Sequence, residues 1–276
     1  MKKKINSIDL ISLGLPTFAI ISVILRMIAL FTALDTEIGY FDSSALITYL
    51  DRAIFFAAVI FGIVSAAATK KDALLTDASP VTVWSTFVSI ALGFIFAIFG
   101  LLFIFLNFAK LSVLVCIVSV GAFFSAAYYV YEGFRPVKSV GLTVKRTLVA
   151  MVSGVTLIAV VFVENFDFYV ALNNPEKLLV MFLFVIAPLF FIQKLKFGAG
   201  SSTPRFYLAT AYLTALLGAY ISIPGIIANC AGILENPKYL LYYLLALGLA
   251  IYALIDLIGR IKLTRLEKSP IAPTEQ

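Results

Sequence analysis

Eight apolar segments, each long enough or nearly long enough to cross a lipid bilayer, decide the fold class of this chain. They run over 10–34, 45–68, 81–106, 111–131, 147–163, 178–193, 206–226 and 239–259, and almost every charge lies between them. A hydrocarbon core about 30 Å thick needs roughly 20 residues of helix. The expected fold is therefore all-α: a polytopic transmembrane bundle of eight spans. A membrane β-barrel is excluded by pattern, because its strands alternate apolar and polar residues, whereas Gly93 to Leu106 is continuously apolar.

Composition enters as a bound on what else the chain can hold. Charged residues make up 13% of it, against roughly a quarter in soluble domains, and the mean hydropathy is +1.05. Eight spans in 276 residues leave no room for a separate soluble domain. A single integral membrane domain over 1–276 is expected, with 260–276 as a short basic tail. The first segment follows Lys2–Lys4 as a signal peptide would. Its apolar run is far longer than a signal core of roughly 7–15 residues, so it reads as a retained span.

The net charge of +6 is a matter of topology. Of the 21 lysines and arginines, Lys110, Lys177 and Lys238 fall on one side, Arg26 and Arg52 fall within spans, and all the others fall on the side of both termini. Cytoplasmic loops carry the basic excess, which places both termini in the cytoplasm. The opposite loops are acidic, with Asp35, Glu37, Asp42, Glu164, Asp167, Glu176 and Glu235. Nucleic acid is not an expected partner; the bilayer and its anionic headgroups are. A bacterial plasma membrane is the expected location, on the short loops and the charge asymmetry. Tyr128, Tyr129, Tyr131, Tyr207 and Trp84 are expected at the inner interface, and Tyr40, Phe41, Phe166, Phe168, Tyr169 and Tyr239 at the outer one.

The loop spacing hints at two halves of four spans, related by an axis along the membrane normal. An acidic outer loop precedes a twelve-residue basic inner loop in both halves, at 35–44 with 69–80 and at 164–177 with 194–205. Short loops in any eight-span protein would give a similar rhythm. Small residues at every fourth position, as in Ala58, Gly62 and Ala66, Ser85 to Ala97, and Ala211 to Ala219, mark the second, third and seventh spans as central. The sixth, rich in Leu, Phe, Ile and Val, is expected to face lipid. Pro188 lies near its inner end, and Pro224–Gly225 is expected to end the seventh helix rather than to break it beside a substrate site.

Absent chemistry narrows the function. There is no His, which removes His-based acid–base catalysis and His-based zinc motifs. Cys116 and Cys230 are too few for a Cys-rich metal site, and they read as packing residues rather than a bridge. No phosphate-binding loop of the G-x-x-x-x-G-K-[ST] type occurs. No catalytic residue, metal or cofactor is expected, and the chain is not expected to be an enzyme. Asp256 precedes Arg260 by four residues, the spacing of a helical ion pair.

The remaining constellation is Arg26 with Asp51 and Arg52. Arg26 lies about nine residues, roughly 13 Å, below the outer end of the first span, and Asp51 and Arg52 lie at nearly matching depth in the second. Ionisable groups in a span are costly unless paired, which makes them functional-site candidates. One carboxylate neutralises one arginine only, so the surplus cation would attract a small anionic solute. Asp35 is a weaker candidate partner. The alternatives are a structural Arg26–Asp51 pin, or a later start of the second span that leaves Asp51 and Arg52 at the headgroups. Two function classes remain: a small-solute transporter or ligand-binding permease-like protein, or a structural, partner-binding membrane protein.

Overall fold

The computed structural model describes residues 7–35, 40–69, 74, 83–108, 112–134, 144–166, 174–198, 203–234 and 236–267. These residues form eight long helices: α1 (Ser7–Thr32), α2 (Leu46–Ala67), α3 (Val83–Leu106), α4 (Val113–Gly133), α5 (Val144–Asn165), α6 (Pro175–Gly198), α7 (Pro204–Cys230) and α8 (Pro237–Glu267). Each is long and apolar enough to span a membrane. The protein is thus a multi-pass, all-α membrane bundle. Its outer faces carry large apolar residues such as Phe87, Phe94, Leu101 and Phe105 on α3, as a lipid solvent requires.

Helices α7 and α8 form the centre. They pack tightly on each other; α7 also meets α1, α2 and α6, and α8 also meets α3 and α6. Helices α3, α4, α5 and α6 follow one another around α8, and the α1–α2 pair leans mainly on α7. Close approach of α7 and α8 depends on Gly218: a Cβ there would sit 2.8 Å from the Ala246 carbonyl oxygen. The α3–α4 contact uses Gly93 and Gly100 in the same way, against the carbonyls of Ala126 and Ser119.

Small-residue stripes locate only part of the centre. Helix α7 is central as expected from its alanines, but α2 is peripheral and α6 does not simply face lipid. Val180, Leu183, Phe184, Ala187, Phe190 and Phe191 of α6 are buried. The space enclosed by α3, α4, α6 and α8 is filled with rings: Phe96 stacks on Tyr129 at 5.6 Å, and Tyr129 meets Tyr252 edge-on at 5.2 Å. Large rings fill volume that small residues would leave empty, so here bulk rather than smallness marks the interior. For the same reason Tyr129, Tyr207 and Tyr239 are buried in the bundle, although Tyr207 and Tyr239 lie in the first turn of their helices. Trp84, Tyr131 and Phe166 lie exposed at helix ends; Phe168 and Tyr169 fall outside the described residues.

Several helices outrun their apolar segments. Helix α7 continues through Pro224 to Cys230, four residues beyond the expected span, and α6 passes through Pro188 without interruption. Helix α8 reaches Glu267, well into the expected tail. Helix α6 starts at Pro175, ahead of its first long apolar run; Asn174 caps it, its side-chain oxygen accepting from the amides of Glu176 and Lys177 at 3.0 and 3.2 Å. After α7, Gly232 takes φ 74° and turns the chain toward α8.

The two ends of the bundle differ. One end, called here the terminal end, brings together the start of α1 and the end of α8, where Arg265 Nη2 donates to Ser12 Oγ at 3.3 Å. The other, the hairpin end, carries a two-stranded antiparallel ladder between α1 and α2, β1 (Leu34–Asp35) and β2 (Tyr40–Phe41). Beyond it, the Asp42 carboxylate accepts from the Ser44 amide at 2.8 Å and its hydroxyl at 2.7 Å, which holds this exposed acid below the usual carboxylate range. The ladder turns Phe41 inward.

Candidate functional site

Arg26 is buried inside the hairpin end, six residues before the end of α1. Its guanidinium is held by two carboxylates from two other helices. Nη1 lies 3.3 Å from Asp51 Oδ2 on α2, and Nη2 is ion-paired with Glu176 Oε1 in the first turn of α6. Two aromatic rings sandwich it: Phe41 at 4.3 Å and Tyr220 of α7 at 5.3 Å from the ring centroids. Cation–π contacts of this kind are strongest where water is excluded.

Tyrosines complete the arrangement from the central helices. Tyr220 on α7 donates its hydroxyl to Asp51 Oδ2 at 2.8 Å, and Tyr243 on α8 donates to Glu176 Oε2 at 3.0 Å. Phe55, one turn beyond Asp51 on α2, stacks on Tyr220 at 4.2 Å. Gly225 allows the Tyr243 ring to lie against α7, since a Cβ there would come within 2.7 Å of the ring. Five helices therefore contribute to one polar cluster. Both oxygens of Glu176 are engaged, whereas Asp51 Oδ1 is buried with no hydrogen-bond partner among the described residues.

Of the residues picked out by sequence, Arg26 and Asp51 meet directly. Arg52 does not join them: the next residue along α2 turns about 100° around the axis, and Arg52 lies exposed on the outside of the bundle. Asp35 is likewise exposed, in the ladder at the hairpin end. Glu176 carries the second ion pair and was assigned by sequence to a loop. Asn174–Pro175–Glu176 was the available signal: an N-cap residue, proline at the first helical position and an acid in the first turn.

Two further buried clusters flank this one. At the hairpin end, Glu164 of α5 is ion-paired with Lys238 of α8 and accepts from Tyr242 at 2.5 Å. Lys177 of α6 is fully buried there as well. At the terminal end, Asp256 Oδ2 lies 3.4 Å from Arg260 Nε, the helical pair expected from the spacing. It is not an isolated pair: Lys194 Nζ reaches Asp256 Oδ1 at 2.7 Å and Tyr207 donates to Oδ2 at 2.5 Å. Cys116 and Cys230 are separate free thiols.

Two carboxylates hold one guanidinium in a space walled by rings. The arginine fork matches a carboxylate or phosphate two bonds at a time, and both of its prongs are taken by the protein's own acids. Comparison with known proteins adds no analogy: no family model, curated protein or solved structure matches the chain.

Proposed function

We propose that the protein is a permease-like transporter of small anionic solutes, with Arg26 as the residue that receives the anion. The observation that carries this reading is one buried guanidinium shared between carboxylates on two helices, α2 and α6. Asp51 belongs to the α1–α2 pair and Glu176 to α6, which packs on α5; both sets pack on α7. An anion that displaces either acid changes what ties the pair to the rest of the bundle. Switching by exchange of ion-pair partners is a familiar way for two packed units to rock against each other. Intramembrane charges held at several kcal/mol of cost are by default functional.

The basic terminal end belongs to the cytoplasm on this reading, with the hairpin end outside, in a bacterial plasma membrane. The close packing of α3 on α4 and of α7 on α8 is the correspondence that a 4+4 parallel repeat would give.

A second reading, a structural or partner-binding membrane protein, is favoured by one observation. Helices α6 and α7 run unbroken through Pro188 and Pro224, so no unwound segment offers backbone groups to a solute. Arg26 would then be a pin between helices.

Uptake into proteoliposomes separates the two. Radiolabelled monocarboxylates, dicarboxylates and phosphate are offered to vesicles holding the full chain. A permease accumulates at least one of them above protein-free vesicles, and Arg26→Lys slows that uptake about tenfold by loss of the two-pronged contact. A pin accumulates none.

A further inference from the structure

We infer that Asp51 is a proton-binding site, taking its proton on Oδ1. The inference rests on the permease reading only for its consequence, the coupling of proton and anion; the site itself is read from the geometry alone.

Two acids share one arginine, and the sharing is unequal. Glu176 has both oxygens engaged, Oε1 by Arg26 and Oε2 by Tyr243 at 3.0 Å. Asp51 has only Oδ2 engaged, by Arg26 at 3.3 Å and Tyr220 at 2.8 Å. Its Oδ1 has no partner among the described residues, and the residue is 1% exposed. The groups that face Asp51 are Arg26 from α1, Tyr220 from α7 and, across Arg26, Glu176 from α6. Lys177 follows Glu176 by one residue and so projects about 100° away around α6; Arg52 turns outward. The local charge with both acids ionised is one negative in excess. A buried acid with uncompensated charge sheds the cost by taking up a proton.

The proton has a place to go. Thr48 precedes Asp51 by three residues, hence lies on the same face of α2 one turn nearer the hairpin end. Its Oγ1 is also buried and without a partner among the described residues. A proton on Asp51 Oδ1 turns that oxygen into a donor, for which the Thr48 hydroxyl oxygen is an acceptor on the same face of the helix, directly or through one water. Two orphaned oxygens are satisfied by a single proton. The step is simple in its balance: a proton from the aqueous phase bonds to Oδ1, the carboxylate becomes neutral, and no other bond changes.

The consequence follows for Arg26. A neutral Asp51 leaves Arg26 compensated by Glu176 alone, with the other prong of the fork facing a neutral oxygen that an anion can displace, entering with the proton.

Infrared difference spectroscopy of the full chain in lipid nanodiscs, titrated from about pH 9 to about pH 4, tests the site without any substrate. The expected result is a protonated-carboxyl C=O band that is lost in Asp51→Asn and displaced to lower pH in Glu176→Gln, where the excess negative charge is gone. Thr48→Val should shift the band without abolishing it, which keeps the test informative even where Asp51→Asn does not fold. Absence of any band sensitive to Asp51 or Thr48 overturns the inference, even where anion uptake is observed. A band of the expected kind without uptake supports the proton site and removes the permease reading.

Discussion

Arg26 and Glu176 lie 150 residues apart in the chain and are ion-paired inside the bundle, joining α1 to the first turn of α6. The two residues are not equivalent. Removing Arg26 strands two buried acids and costs about 3–5 kcal/mol, whereas removing Glu176 leaves the guanidinium paired with Asp51 and costs less; the double variant strands Asp51 alone. Unfolding measured in detergent should therefore show strong coupling in the cycle Arg26→Leu, Glu176→Leu and the double variant. Simple additivity of the two single effects would mean that no direct pair exists.

The tyrosines are expected to matter through their hydroxyls. Tyr220→Phe and Tyr243→Phe keep the rings that pack against Arg26, Phe55 and Gly225 but remove the donors to Asp51 and Glu176. Each should cost about 1–2 kcal/mol, the range for a hydrogen bond to a charged group in a membrane interior. Stabilities equal to the parent in both variants would show that the phenols are not bonded to the acids.

Asp256 should be more sensitive than Lys194 at the terminal end. Asp256→Leu strands Arg260 and Lys194 together, while Lys194→Leu leaves Asp256 with Arg260 and Tyr207. Lys194 is also 23% exposed and has water as an alternative. The reverse order in thermal unfolding would argue against a network centred on Asp256.

Helix α7 meets α8 too closely for a methyl group at position 218. Gly218→Ala would press on the Ala246 carbonyl and the Ala250 methyl, both 2.8 Å from the new Cβ, and should destabilise by about 1–3 kcal/mol. Gly154→Ala on α5 meets only Pro188 at 3.4 Å and should be tolerated. Equal stability of the two variants would contradict the packing.

The spans were legible in the sequence because hydropathy in a membrane is set by the solvent: a helix crossing lipid must be apolar nearly all round. Arg26 and Asp51 were legible for the converse reason, as charges where none is expected. Glu176 was not, because a loop boundary drawn where apolarity begins misses the polar first turn of a helix. Lys238, in the first turn of α8 behind Asn236 and Pro237, was missed in the same way. The tyrosine donors have no signature along their own helices, and of the four only Tyr207 was expected at an interface. Tyr207, Tyr220, Tyr242 and Tyr243 are buried because each hydroxyl has an acid to bond to, a relation between helices that spacing along one helix cannot display.

The most direct test of the anion-receiving Arg26 is ligand-dependent stability of the full chain in detergent. A ligand that binds only the folded state raises its unfolding temperature in a concentration-dependent way. Monocarboxylates, dicarboxylates and phosphate are added in turn to the parent protein and to Arg26→Leu. The account predicts that at least one anion raises the unfolding temperature of the parent and leaves that of Arg26→Leu unchanged. No shift with any of them, or the same shift in both proteins, would contradict it.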